Sequence, residues 1–383
     1  MSKKLVDKVK ENFIKHFQKE PVVVFSPGRI NLIGEHTDYN QGYVFPAAID
    51  LGIAVGIQKS KENQSRVLAH DLNEFLVFDT QRALEPIKNG GWKNYVLGVF
   101  IELQKKKIKI PAIDMVFGGN VPGGAGLSSS AAIENGVVYA INQLFQLNLS
   151  KEEMVFISQR AEQNSVGVNC GIMDQYASMF GEKNQAILLD CEHMISRKIS
   201  LNLLDYEFLL INSNVKHNLA ENEYNDRRMT CEEVAKKLKV TSLRNATIPL
   251  LEKMKSELSL GDYEKAIYVL QENERVLNAE KALLNNDLSA LGKLLYASHE
   301  GLKDLYKVSC DELDFLVEMA KKNPNVLGAR MMGGGFGGCT LNLVKTDSVA
   351  AYLEEVSENF KNKFKRPCTS IKIKISQGTR TVN

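Results

Sequence analysis

Val22-Val23-Val24-Phe25-Ser26-Pro27-Gly28-Arg29-Ile30-Asn31-Leu32-Ile33-Gly34-Glu35-His36-Thr37-Asp38-Tyr39-Asn40-Gln41-Gly42 sets an apolar, β-branched run directly against glycines, an arginine, a histidine and two carboxylates. Residues 22–25 have the composition of a buried strand. Pro27-Gly28 is expected to end that strand, which puts the polar groups on a turn at its edge. Side chains on a turn fixed by a rigid strand can be aimed at a small molecule. A binding site is the first expectation.

Outward from this stretch, 383 residues exceed what one hydrophobic core usually organises, so two domains sharing a cleft are expected. The 48 Lys and Arg residues nearly cancel the 46 Asp and Glu residues, leaving +2. That balance gives no field favouring nucleic acid or a membrane surface. Lys105-Lys106-Lys107 reads as a solvated loop. Leu5, Val6, Val9, Phe13, Ile14 and Phe17 recur at helical spacing, so the start of the chain reads as an amphipathic helix, not a signal peptide. No apolar run approaches transmembrane length. The six cysteines show no close pairing and read as reduced thiols. A cytoplasmic protein with no obligate protein partner is expected.

Strands are expected at 22–25, 43–45, 52–58, 66–70, 75–78, 115–118 and 186–189, with helices at 94–105, 129–146 and 151–164. A strand at 207–212 opens a helix-rich half, with helices near 219–238, 262–283, 287–305 and 310–322. Strands at 339–344 and 370–375 flank a helix at 348–364. The composition shifts near 195–206. The expected division is therefore an N-terminal domain over 1–200 and a C-terminal domain over 201–383. Mixed elements without a regular βαβ rhythm point to an α+β fold.

Asn120-Val121-Pro122-Gly123-Gly124-Ala125-Gly126-Leu127-Ser128-Ser129-Ser130-Ala131-Ala132 leads from a strand into a helix. Glycines permit close backbone approach, and the first amides of a helix form a phosphate site. The plainer alternative is a glycine turn with an ordinary serine cap. No lysine follows the glycines, which excludes the G-K-[ST] phosphate loop. Ser129 stands where the dinucleotide fingerprint needs its third glycine. A second glycine run, Gly333-Gly334-Gly335-Phe336-Gly337-Gly338, is followed by the alternating Cys339-Thr340-Leu341-Asn342-Leu343-Val344 and so precedes a strand, not a helix.

Asp174, in Val168-Asn169-Cys170-Gly171-Ile172-Met173-Asp174-Gln175-Tyr176, lies among small and apolar residues. Such a carboxylate is either paired or caps a helix. Glu162 sits at the end of the preceding helix, where negative charge opposes the dipole, which suggests a cation. With the Ser130 hydroxyl it would suit magnesium.

Taken together, these segments resemble the superfamily of galactokinase, homoserine, mevalonate and phosphomevalonate kinases, and within it the galactokinase family. The resemblance runs from about residue 20 to 375. It rests on Gly28-Arg29-x-Asn31-Leu32-Ile33-Gly34-Glu35-His36-Thr37-Asp38-Tyr39-Asn40-x-Gly42, on residues 123–130, and on residues 333–338. It implies two α+β domains with ATP and sugar between them. Asp174 would be the catalytic carboxylate and Arg29 its partner at the transferring phosphoryl group. Glu35, His36, Thr37, Asp38, Gly171, Asp174 and Tyr224 would bind the sugar. Gly123, Gly124, Ala125, Gly126, Leu127, Ser128, Ser129 and Ser130 would bind ATP. Trp92 would join the adenine pocket, or else serve as plain core. Ser130 and Glu162 would hold Mg2+. The chain departs from the pattern at Met332, where threonine is usual, and at Ser165, where phenylalanine is common. The implied reaction transfers the γ-phosphoryl group of ATP to the anomeric hydroxyl of galactose. A related kinase for N-acetylgalactosamine or arabinose, and a galactose- and ATP-binding sensor, are the alternatives.

Overall fold

The computed structural model describes residues 2–215 and 220–382. In chain order its first half runs α1 (Ser2–Phe17), β1 (Val22–Asn31), β2 (Tyr43–Val44), β3 (Pro46–Lys59), β4 (Ser65–Ala69), β5 (Glu74–Phe78), α2 (Trp92–Lys105) and β6 (Ile113–Gly119). It continues with α3 (Ser129–Phe145), α4 (Lys151–Ala161), α5 (Met173–Phe180), β7 (Gln185–Asp190) and β8 (Ile195–Ser200). The second half comprises β9 (Tyr206–Asn212), α6 (Ala220–Lys237), α7 (Ile248–Lys253), α8 (Leu260–Leu284), α9 (Leu288–Glu300) and α10 (Asp311–Lys322). It closes with β10 (Val326–Met331), β11 (Cys339–Lys345), α11 (Val349–Phe364), β12 (Thr369–Lys372) and β13 (Arg380–Val382). The expected start of the helix at 219 lies outside the described residues.

Three sheets result, ordered β13-β1-β3-β6-β4-β5, β10-β11-β9-β12 and β2-β7-β8. One core lies between the six-stranded sheet and α2, α3 and α4. A second joins the halves behind the cleft, packing Ile30 and Leu32 with Leu127, Leu210, Val276 and Leu341. The fold is the two-domain α+β arrangement expected, but its last strand, which the sequence grouped with residues 201–383, pairs with β1 through Val23 and Val382.

The decisive correction concerns Pro27-Gly28. The strand does not end there; it continues to Asn31, and its register against β3 slips between Pro27 and Arg29. Proline lacks an N–H, and a bulge is where a paired strand tolerates it. The bulge also brings the glycine loop at 123–130 close, since a Cβ on Gly28 would lie 2.5 Å from the Leu127 carbonyl oxygen. Arg29 therefore projects from a strand, not from a turn.

Five elements were not expected: β8, α5, α7, β10 and β13. β8 is an exposed edge strand (Ile-Ser-Arg-Lys-Ile-Ser) that reads as a boundary by composition. β10 carries a glycine and an arginine, which disguise a strand whose Arg330 is fully buried. Among the described residues no helix is long and apolar enough to cross a membrane. The six cysteines are free thiols.

Candidate active site

A cavity of about 660 Å³ opens between the glycine loop before α3, the loop after β1 and the glycine run between β10 and β11. Arg29 and Asp174 meet at its wall. The guanidinium donates from Nε to Oδ1 at 2.8 Å and from Nη2 to Oδ2 at 2.9 Å. This two-point contact fixes both groups, as single-point pairs do not. Nη1 donates to the Gly126 carbonyl, and Ser128 Oγ donates to Asp174 Oδ2. Asp174 lies in the first turn of α5, but no side chain caps that helix, so the capping alternative is not what forms.

The glycine loop enters α3 through Ser128, whose φ of 57° is left-handed. That conformation is costly for a non-glycine residue and persists where surrounding contacts impose it. No side chain caps α3. The serine-cap alternative is therefore not formed; the Ser128 hydroxyl serves Asp174 instead. The positive end of α3 points its first amides toward the cavity lined by residues 121–130. Gly126 must remain small, since its φ is +70° and a Cβ would stand 3.1 Å from the Met332 carbonyl oxygen. Met332 itself is core, 1% exposed. Ser165 is buried against Gly98, and its hydroxyl has no partner.

On the opposite wall, Asp38 accepts from the amides of Tyr39 (2.9 Å) and Met173 (3.4 Å). Burial, with Asp174 nearby, pushes its carboxyl up to about 6. A Cβ on Gly171 would fall 2.0 Å from Asp38 Oδ2, so only glycine fits there. Glu35 is clamped by Arg330, with Nη2 2.6 Å from Oε1, and by the Gly333 amide at 2.8 Å. Arg330 was missed from sequence. A lone arginine within an apolar run of strand length was the available signal.

His36 lies 3% exposed, and burial drops it to about 3, so the ring is neutral. Its Nδ1 is 2.7 Å from Tyr39 Oη and its Nε2 is 3.2 Å from the Gly334 carbonyl oxygen. Tyr224 packs tilted against it at 5.3 Å between ring centroids, over Gly334. The Thr37 hydroxyl turns inward to the carbonyls of Gly34 (2.8 Å) and Tyr43 (2.6 Å), bracing the loop. Trp92 is not among the residues lining this cavity; it packs edge-on against Phe117 and donates to Glu74.

Glu162 lines the cavity at the start of a π-helical turn, Glu162–Val166. Burial pushes its carboxyl up to about 7, against a hydrogen bond from Ser130 that lowers it. Gln175 Nε2 donates to it at 2.6 Å and to Glu134 at 3.3 Å. Glu134, one turn beyond Ser130 on α3, is fully buried, and its Oε1 has no partner. Sequence reading passed over it as helix interior.

The galactokinase galactose-binding signature matches residues 11–59, the segment holding Arg29 and Glu35 to Asp38. The GHMP kinases N terminal domain matches residues 94–182 and the GHMP kinases C terminal residues 279–362. A galactokinase of Thermotoga petrophila is 43% identical over 94% of this chain and 99% of its own length. One of Clostridium acetobutylicum is 39% identical over 99% of this chain and 98% of its own. The chain belongs to the galactokinase family. A galactokinase of Lactococcus lactis, solved in complex with galactose, superposes with a TM-score of 0.93 at 35% identity, covering 97% of this chain and 98% of its own. A mevalonate kinase at 20% identity and a TM-score of 0.66, covering 93% of this chain and 99% of its own, shares the fold.

Proposed function

We propose that this protein transfers the γ-phosphoryl group of ATP to the anomeric hydroxyl of galactose, giving galactose 1-phosphate and ADP. The observation that carries this reading is the two-point Arg29–Asp174 pair, set where the glycine loop meets the carboxylate wall. ATP places its phosphates along residues 123–130, where glycine backbone and the N-terminus of α3 receive negative charge. Glu35, Asp38, Gly171 and Tyr224 form the sugar wall. Carboxylates accept neighbouring hydroxyls in pairs, and a pocket of hydrogen-bonding groups rejects a sugar with a misplaced hydroxyl because its partners are left unpaired.

Asp174 takes the proton from the attacking hydroxyl as the O–P bond forms. Phosphoryl transfer proceeds through a loose transition state in which the proton leaves late, so orientation of the hydroxyl matters more than base strength. Arg29 holds Asp174 in place and sets positive charge beside the transferring group. Ser130 and Glu162 fit a magnesium ion. They are hard oxygen donors in the cavity wall, and Glu162 and Glu134 form a buried acidic pair whose shared hydrogen-bond partner, Gln175, is neutral. A bound Mg2+ would screen phosphate charge; the residues described here do the positioning. Free thiols suit a reducing, cytoplasmic setting.

A coupled assay for ADP release with galactose, glucose, arabinose and N-acetylgalactosamine tests the reading. Galactose is expected to be turned over with a kcat/KM at least tenfold above the others. Equal or faster turnover of another sugar would reassign the substrate.

A further inference from the structure

The protein occupies both ring nitrogens of His36, and the chemistry of those partners orders a run of protons. The Gly334 carbonyl can only accept, so Nε2 carries the hydrogen. The buried ring is neutral, so Nδ1 is an acceptor and Tyr39 Oη donates to it. That phenol has one proton, so its 2.8 Å contact with Tyr306 Oη must be one in which Tyr306 donates. The Tyr306 proton is then committed, and the 3.2 Å contact with Cys231 Sγ is a thiol donating to a phenol oxygen. Every link points the same way, from α6 to the glycine run between β10 and β11.

At its far end the chain meets the active site. Gly333 gives its amide to Glu35 and Gly334 gives its carbonyl to His36. Two adjacent residues of the first motif thus grip two adjacent residues of the third. We propose that Tyr39 and Tyr306 are positioning residues for sugar recognition: with Cys231 they hold His36 as the Nε2–H tautomer, and through it fix Gly334 under Tyr224 at the sugar wall. A Cβ on Gly334 would meet only the Tyr224 ring within 4 Å, and not the 123–130 loop. The inference deepens the proposed galactose reading and rests on it only for its kinetic arm.

Two measurements decide it. Long-range 15N–1H NMR of histidine-labelled protein, with His36 assigned by its loss in His36→Gln, is expected to show the Nε2–H tautomer without any sugar present. In Tyr39→Phe the Nδ1 resonance moves to the position of an acceptor without a donor. In steady-state kinetics Tyr306→Phe keeps the ring packing and raises KM for galactose roughly three- to tenfold, the worth of one buried hydrogen bond. Its kcat and KM for ATP change less than twofold. An Nδ1–H tautomer in the wild type would overturn the proposal, as would an unchanged galactose KM in both phenylalanine variants. If the wild type turned over no galactose, the functional reading would fail while the tautomer measurement still decided the chain.

Discussion

Asp174 and Glu162 line one cavity, yet their surroundings oppose each other. Asp174 faces a guanidinium in two-point contact and a serine hydroxyl. Glu162 faces a glutamine amide, a serine hydroxyl, a thiol and, across Gln175, a second buried acid. The first region is electrostatically complete as it stands. In the second, burial drives both glutamates toward the protonated form, and a cation would reverse that. On the proposed reading a side-chain carboxylate would therefore do proton and orientation work in one place and hold a metal in the other, and neighbours decide which.

The largest effect should come from breaking the complete region. Asp174→Asn retains shape and removes the acceptor charge; kcat is expected to fall about 10²- to 10⁴-fold with nucleotide binding retained. A variant keeping more than a tenth of wild-type kcat would make the pair structural only. Arg29→Lys comes next. A point charge cannot reproduce the planar fork, and kcat should drop about 100-fold in the same assay. Equal rates for lysine and arginine would show that charge alone suffices.

Glu162→Gln probes the incomplete region. Titrating Mg2+ should show the half-saturating concentration raised about 10-fold or more, with the rate partly restored at high Mg2+. An unchanged Mg2+ requirement would move the metal elsewhere and dissolve the contrast.

The smallest effect is on stability. Asp38, at about 6 folded against 3.8 as a free side chain, holds a proton in the native state that the unfolded chain has lost. Its contribution to stability is therefore present at low pH and fades as pH rises from about 4 to 6. His36, at about 3 folded against 6.5, works the other way: the unfolded state binds the extra proton, so stability grows with pH across that window. Asp38→Asn removes the opposing slope, and Tm should climb more steeply between pH 4 and 6 than in the wild type. Parallel Tm profiles would mean that Asp38 is ionised throughout.

Much of this was legible beforehand because local chemistry is local. The amphipathic pattern of α1, the alternation of β11 and the glycine loop opening α3 follow from side-chain periodicity and backbone freedom, which short segments carry in themselves. Pro27-Gly28 misled because a proline–glycine pair reads as a turn wherever no partner strand is visible; β3 and Leu127 turn it into a bulge. Arg330 and Glu134 escaped for the same reason, since a charged residue inside a regular element shows its purpose only beside its partner. Thr37 and Trp92 were grouped with the ligand-binding residues, yet the hydroxyl braces its own loop and the indole packs away from the cavity lining.

By itself, then, the order of residues determined most of the strands and helices and both glycine loops, and which side chains have chemistry suited to phosphoryl transfer. Tertiary structure decided the pairings: Arg29 with Asp174 across 145 positions, and Arg330 with Glu35 across 295. Backbone propensity acts over a few residues, whereas a carboxylate's charge, proton and partner are set by whatever the fold brings within a few ångströms of it.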